Sequence, residues 1–138
     1  YDSVASLVSY YSLSAQRFLN LAGMSCRLQV ADAFPCAPLD SRVRHGVFLA
    51  FREALNNAVC HSGASGVRIA MEMEGSQLRI AVADDGRGFV PMENTPGCDG
   101  LSNMRQRMEK LGGYCGIESR PGQGTIIELR LPLEQTQA

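Results

Sequence analysis

Apolar residues recur every three or four positions through Val4, Leu7, Val8, Tyr11, Ala15, Phe18, Leu19 and Ala22. This is the rhythm of an amphipathic helix, and Gly23 offers it a C-terminal stop. Residues 26–31 alternate as a strand does, and the prolines at 35 and 38 make residues 34–38 a loop, because proline cannot join a hydrogen-bonded ladder. The helical rhythm returns in Val43, Val47, Phe51, Ala54 and Ala58. Ahead of it, Asp40 can accept the unpaired amide hydrogens of a helix start, which predicts a central helix from 40 to about 61, stopped before Ser62-Gly63. Val67, Ile69, Met71 and Met73 then alternate with Arg68, Ala70, Glu72 and Glu74. Gly75-Ser76 makes a turn, and Leu78, Ile80 and Val82 return as the second strand of an antiparallel hairpin. Residues 89–99 have two prolines and little periodicity, so they read as a short functional loop or lid. Leu101, Met104, Met108 and Leu111 mark one face of a further helix ended by Gly112-Gly113. Residues 114–119 and 125–131 form a last hairpin about Pro121-Gly122. The order, helices interspersed with antiparallel hairpins, predicts an α/β protein.

The candidate chemistry lies on two of these elements. Glu53, Asn57 and His61 follow one another at i, i+4 and i+8, so the central helix carries them along one flank. Glu53 and Asn57 sit on the shoulder of its apolar arc, rigidly held yet able to meet a ligand. Directly after the strand ending near Val82 comes Asp84-Asp85-Gly86-Arg87-Gly88, whose glycines let the backbone turn sharply and approach a ligand. An acid, an amide and a glycine-rich turn are parts of a magnesium-nucleotide site.

These boxes, followed by GCDGLSNMRQRM at 97–108 and GQGT at 122–125, resemble the ATP-binding catalytic domain of bacterial sensor histidine kinases. That domain shares a superfamily with gyrase and the heat-shock chaperone ATPases. Any one box is a weak signal; four in order with family-like spacing are specific, and the resemblance covers residues 31–132. The short lid resembles that of the nitrate- and nitrite-sensing group, which works with helix-turn-helix response regulators.

The resemblance implies a Bergerat-type fold, an α+β two-layer sandwich whose mixed, mostly antiparallel sheet is covered on one face by helices, and the cofactors ATP and Mg2+. It makes the side-chain carbonyl of Asn57 the magnesium ligand, and Glu53 the group that orients a metal-bound water or polarises the attacking nucleophile. Asp84 would select the exocyclic amine of adenine over the carbonyl of guanine, since an ionised carboxylate accepts and cannot donate. Asp85 is expected to hydrogen-bond the turn itself. Gly86 and Gly88 would let the backbone approach the base. Gly97 and Gly100 would flank a helix start whose free amides can hold phosphate. Leu101 and Met104 would back the lid while also serving the core, and Thr125 would hydrogen-bond near the adenine through water. His61 either contacts phosphate or closes the helix end. Arg105 and Arg107 are either phosphate contacts or part of a solvated face. Two departures stand out: Cys60 occupies a position where many relatives carry lysine or arginine, and no phosphoacceptor box, a histidine followed by an acid at a helix start, is present. His45, in Arg44-His45-Gly46, reads as structural or surface.

At 138 residues, with 45% of them hydrophobic, the chain suits one core. The expected division is residues 1–24 as an N-terminal helix, 25–133 as the ATP-binding catalytic domain and 134–138 as a tail. The first helix either covers the sheet or ends the parent's dimerisation stalk. A net charge of -1 with interspersed signs provides no basic stripe, which argues against a nucleic-acid partner. Five cysteines show no CxxC and no metal-like spacing with the two histidines, the pattern of reduced cytoplasmic thiols. No apolar run approaches the roughly 20 residues that cross a bilayer. The start at Tyr1 without methionine suggests a piece of a longer protein. The expected localisation is cytoplasmic, either of a soluble protein or of the cytoplasmic part of a membrane-bound sensor. The expected function is transfer of the γ-phosphoryl group of Mg-ATP to a histidine on the parent's dimerisation helices. The expected partners are those helices and a response regulator, with a homodimeric parent and a monomeric fragment. A serine kinase of the anti-sigma type and a non-catalytic nucleotide-dependent interaction module are the alternatives.

Overall fold

The computed structural model describes residues 3–35, 38–61, 63, 65–86 and 99–133, without the side chains of 61 and 99–102. The elements run α1 Val4–Leu21, β1 Ser25–Val30, α2 Ser41–His61, β2 Gly66–Glu74, β3 Gln77–Asp84, α3 Asp99–Lys110, β4 Tyr114–Ser119 and β5 Thr125–Pro132. The sheet order is β1-β2-β3-β5-β4. β1 pairs with β2 in parallel, and the other pairs are antiparallel. This is the mixed, mostly antiparallel sheet that the resemblance implies.

The helix ends follow local chemistry. The Ser3 hydroxyl oxygen accepts the Ser6 amide at 3.1 Å, and Asp40 Oδ1 accepts the Arg42 amide at 2.8 Å, so each caps its helix. α1 closes with the Met24 amide donating to the Leu19 carbonyl at 2.9 Å and the Gly23 amide to Asn20 at 3.0 Å. That geometry places Gly23 at φ 75°, where a side chain would be strained.

One face of the sheet, through Val67, Ile69, Met71, Leu78, Ile80, Ile127 and Leu129, joins the helices in a single core. α1 adds Val4, Leu7, Val8, Tyr11, Ala15 and Leu19 to it, all buried. The Tyr11 ring stacks on Phe51 with centroids 5.0 Å apart, and its hydroxyl donates to the Arg44 carbonyl at 3.1 Å. Burial raises its pKa well above the phenol range, which keeps it a neutral donor. α3 closes on α2 at Gly46, where an added Cβ would stand 2.7 Å from a Leu111 methyl.

The other face carries charge. Arg79 and Arg130 face each other across β3 and β5, a like-charge pair that would repel. Glu128 lies between them and accepts from both, from Arg130 Nε at 2.9 Å, while Glu72 and Glu74 complete the network.

Candidate functional site

Connectivity decides where the predicted residues meet. α2 ends at His61 and β2 begins at Gly66, so the C-terminal half of α2 lies at the end of the sheet where β2 starts. Antiparallel pairing brings the last residue of β3 to that end, with Asp84 opposite Val67. It then brings the first residue of β5 there, with Thr125 opposite Asp84. α3 runs back along α2, since Leu111 meets Gly46 while Arg107, one turn earlier, shares a cavity with Glu53 and Asn56. The start of α3, with Gly100 and Leu101 in its backbone, therefore points towards the same end. Four stretches distant in sequence converge there. Gly88, Gly97 and residues 89–98 of the expected lid lie outside the described residues, as do the side chains of His61 and Leu101, and Asp99, expected to end the lid, begins α3.

Asp84 is half-buried. Its Oδ1 accepts the Gly86 amide at 2.9 Å, so it is Asp84 that bonds the turn. Desolvation raises its pKa above the ordinary carboxylate value, against the Gly86 and Thr125 amides that favour the charge. Thr125, directly across, is 3% exposed, and its hydroxyl lies 2.9 Å from the Ser119 hydroxyl. The side chains of Asp84 and Thr125 share the helix-covered face.

Asp85 corrects the expectation that it serves its own turn. Its carboxylate accepts the Ser65 amide and hydroxyl, each at 3.0 Å, and the Gly66 amide at 3.2 Å. It thereby fastens the segment after α2 to the end of β3. The Gly66 amide and Ser65 hydroxyl hold its pKa below the usual value.

Glu53 and Asn57 are half-buried, one turn apart on α2. Among the described residues no three of His, Cys, Asp and Glu cluster as a metal cage. Magnesium ordinarily keeps water and phosphate oxygens as most of its ligands. One hard amide oxygen from Asn57 fits that need. Of the two arginines on α3, Arg107 lines the cavity beside Glu53. Arg105 faces the opposite way, close enough to buried Cys115 of β4 to oppose slightly the desolvation that lifts that thiol to about 11. His45 is exposed, on the half of α2 away from these groups. Exposed Cys60 donates to Asn56 Oδ1 at 3.3 Å.

Residues 43–135 match the family described as "Histidine kinase-, DNA gyrase B-, and HSP90-like ATPase". The chain belongs to this family. Among its relatives, the sensor histidine kinase LiaS of Bacillus subtilis (strain 168) is 36% identical over 98 residues, which cover 68% of this chain and 27% of that protein. The signal transduction histidine-protein kinase/phosphatase DegS of Brevibacillus brevis is 32% identical over 91 residues, 66% of this chain and 24% of that one. The chain thus spans about a quarter of the length of these relatives. In structure, the histidine kinase domain from the Erythrobacter litoralis EL346 blue-light activated histidine kinase matches with a TM-score of 0.73 at 25% identity, over 92% of this chain and 61% of that one. The Acinetobacter baumannii histidine kinase AdeS matches at 0.70 and 15% identity, over 97% of this chain and 66% of that one, a likeness of fold alone. Within the ATPase family the chain is an ATP-binding domain of the sensor histidine kinase type, as its four boxes predict. The anti-sigma and non-catalytic alternatives are not favoured. No helix among the described residues is long and apolar enough to cross a membrane.

In this ATPase domain the sequence reading passed over Arg52 and the tie made by Asp85. Leu49, Arg52, Glu53 and Asn56 are spaced as one stripe of a helix, a signal available before the structure. Nothing local to Asp85 points to Ser65.

Proposed function

We propose that the chain binds ATP with magnesium at this end of the sheet and is the catalytic half of a sensor histidine kinase. It would supply the γ-phosphoryl group for a histidine on the parent's dimerisation helices, in a two-component pathway completed by a response regulator. What carries the reading is the meeting of Asp84, Thr125 and the Glu53–Asn57 turn of α2 at one end of the sheet.

Asp84 would accept the exocyclic amine of adenine, with its carboxylate oriented by the Gly86 amide, and would repel the carbonyl that guanine presents there. Thr125 would contribute beside it, and Gly86 would leave room for the base. Asn57 would offer its carbonyl oxygen to magnesium, which when bound supplies charge neutralisation on the phosphates. Backbone amides at the start of α3, around Gly100, would face the phosphates with the positive end of the helix dipole. Glu53, one turn before Asn57, would hold the incoming nucleophile or a water by hydrogen bonding. Phosphoryl transfer asks mostly for such positioning. The chain alone is expected to bind ATP and to hydrolyse it slowly at most.

Calorimetric titration of ATP with and without magnesium, repeated with GTP, tests the reading. Magnesium-dependent binding that rejects GTP supports it, and absence of ATP binding by the folded chain sinks it. Incubating the full-length parent with labelled ATP should leave acid-labile phosphate, as phosphohistidine requires.

A further inference from the structure

Between α1, α2 and α3 lies a cavity of about 320 Å³ lined by Phe18, Leu49, Arg52, Glu53, Asn56 and Arg107. Its α2 residues form one stripe turned away from the buried Phe51, Ala54 and Ala58. It therefore opens on the outer side of α2, whereas Asp84 and Thr125 lie on the inner side, between helix and sheet. Two of its six residues are arginines on different helices. Among the described residues the ion pairs gather on the far side of the sheet, on Arg79 and Arg130, and neither Arg52 nor Arg107 takes part in one. The Arg52 guanidinium stands 5.9 Å from the centroid of the Phe48 ring, a cation–π contact that holds it on the α1 side. Arg107 stands on the α3 side, and Glu53 shares the space they border. Phe18 and Leu49 add apolar surface.

We propose that this cavity receives an acidic peptide segment of the phosphoacceptor partner, its carboxylates reaching Arg52 and Arg107 and its apolar side chains covering Phe18 and Leu49. The inference rests on the reading of Glu53 above, because docking here would bring the accepting side chain to that carboxylate. A phosphate group is the poorer occupant: its dense charge would meet Glu53, whereas carboxylates spaced along a peptide can reach the arginines around it. The apolar lining also has no use in holding a phosphate. Opposite charges at such a rim set partner choice and association rate more than total affinity, and salt screens them.

The test uses the 138-residue chain and a labelled helical peptide bearing glutamates and leucines on one face, titrated by fluorescence anisotropy at low and high salt. A glutamine-for-glutamate peptide and a lysine-for-glutamate peptide serve as controls. The glutamate peptide should bind, more weakly at high salt, and the glutamine peptide should not. Arg52→Glu should weaken binding by about tenfold, Arg52→Gln by less, and the Arg52→Glu/Arg107→Glu double variant should prefer the lysine peptide. That reversal of preference would not follow from a structural defect. Equal binding of glutamate and glutamine peptides, no peptide binding by a chain that binds ATP, or affinity unmoved in the variants would each overturn the proposal. Loss of ATP affinity in Arg107→Glu with peptide binding untouched would assign Arg107 to the phosphates and overturn it as well. Charge-selective peptide binding by a chain that does not bind ATP would instead support the docking site and count against the nucleotide reading.

Discussion

Gly124 passes so close to Asp84 that a Cβ on the glycine would overlap the Asp84 carbonyl. Its φ of 80° also lies where side chains are strained. β5 thus starts against the residue proposed to read adenine, with nothing between the backbones. Gly124→Ala should cost about 1–3 kcal/mol of stability through backbone strain and the forced shift. Because the shift acts on Asp84, ATP affinity should fall in parallel. Urea denaturation and calorimetric titration of the same variant check both effects.

Asp84→Asn should separate binding from stability. A charged hydrogen bond of this kind is worth about 1.5–3 kcal/mol, so ATP should bind tenfold or more weakly. The fold should not suffer. Burial raises the pKa of Asp84, so the folded chain holds that proton more tightly than the unfolded chain does. Ionisation therefore costs stability as pH rises from the unfolded-state value through the folded one, and asparagine carries no such cost. An unchanged or higher melting temperature at neutral pH is expected. In the parent chain ATP affinity should decline as pH is lowered, starting above the ordinary carboxylate range, and the variant should lack that limb.

Glu53→Gln and Asn57→Ala should fail differently. In the full-length parent, losing the positioned acid at Glu53 should slow phosphotransfer by about 100-fold or more with ATP affinity nearly kept. Asn57→Ala should weaken ATP in magnesium far more than in its absence. Titrations with and without the ion, beside single-turnover phosphorylation, distinguish the two.

Asp85→Ala should loosen the junction between α2 and β2, because Ser65 and Gly66 lose the acceptor of their amides. Amide exchange at those two residues should accelerate and the melting temperature should drop. The lowered pKa means this stabilisation is present above the unfolded-state value and is lost as pH falls through the folded one. The stability difference between parent and variant should therefore shrink only in acid, which thermal melts across that range would record.

Glu128→Gln should leave Arg79 and Arg130 facing each other with less to offset their repulsion. Burial disfavours the charge on Glu128, yet the two arginines outweigh it and hold its pKa down, so its contribution is lost as pH falls through that lowered value. A loss of up to about 1 kcal/mol is expected, given how exposed pairs are screened. Added salt should shrink the difference in urea midpoints.

Most elements were readable from neighbouring residues. The alternation of Val67, Ile69 and Met71, the rhythm of Val47, Phe51 and Ala54, and the stops at Gly23 and Gly112 depend on residues two to four apart, so the strands and helices lie within about two positions of their predicted bounds. Glu53 and Asn57 were likewise legible as one flank of a helix. The chain order did not disclose that β5 would lie between β3 and β4, or that β1 would run parallel to β2. It did not separate Arg105, near Cys115, from Arg107, beside Glu53, and it gave Asp85 the turn contact that Asp84 makes. For Asp85 the deciding partner is distant in sequence, 20 residues back at Ser65, and the residue opposite Asp84 on the adjacent strand is Thr125. Local pattern selects which face of an element is apolar. Which other element covers that face, and hence which polar groups are brought together at its end, is chosen by burial and register over the whole sheet.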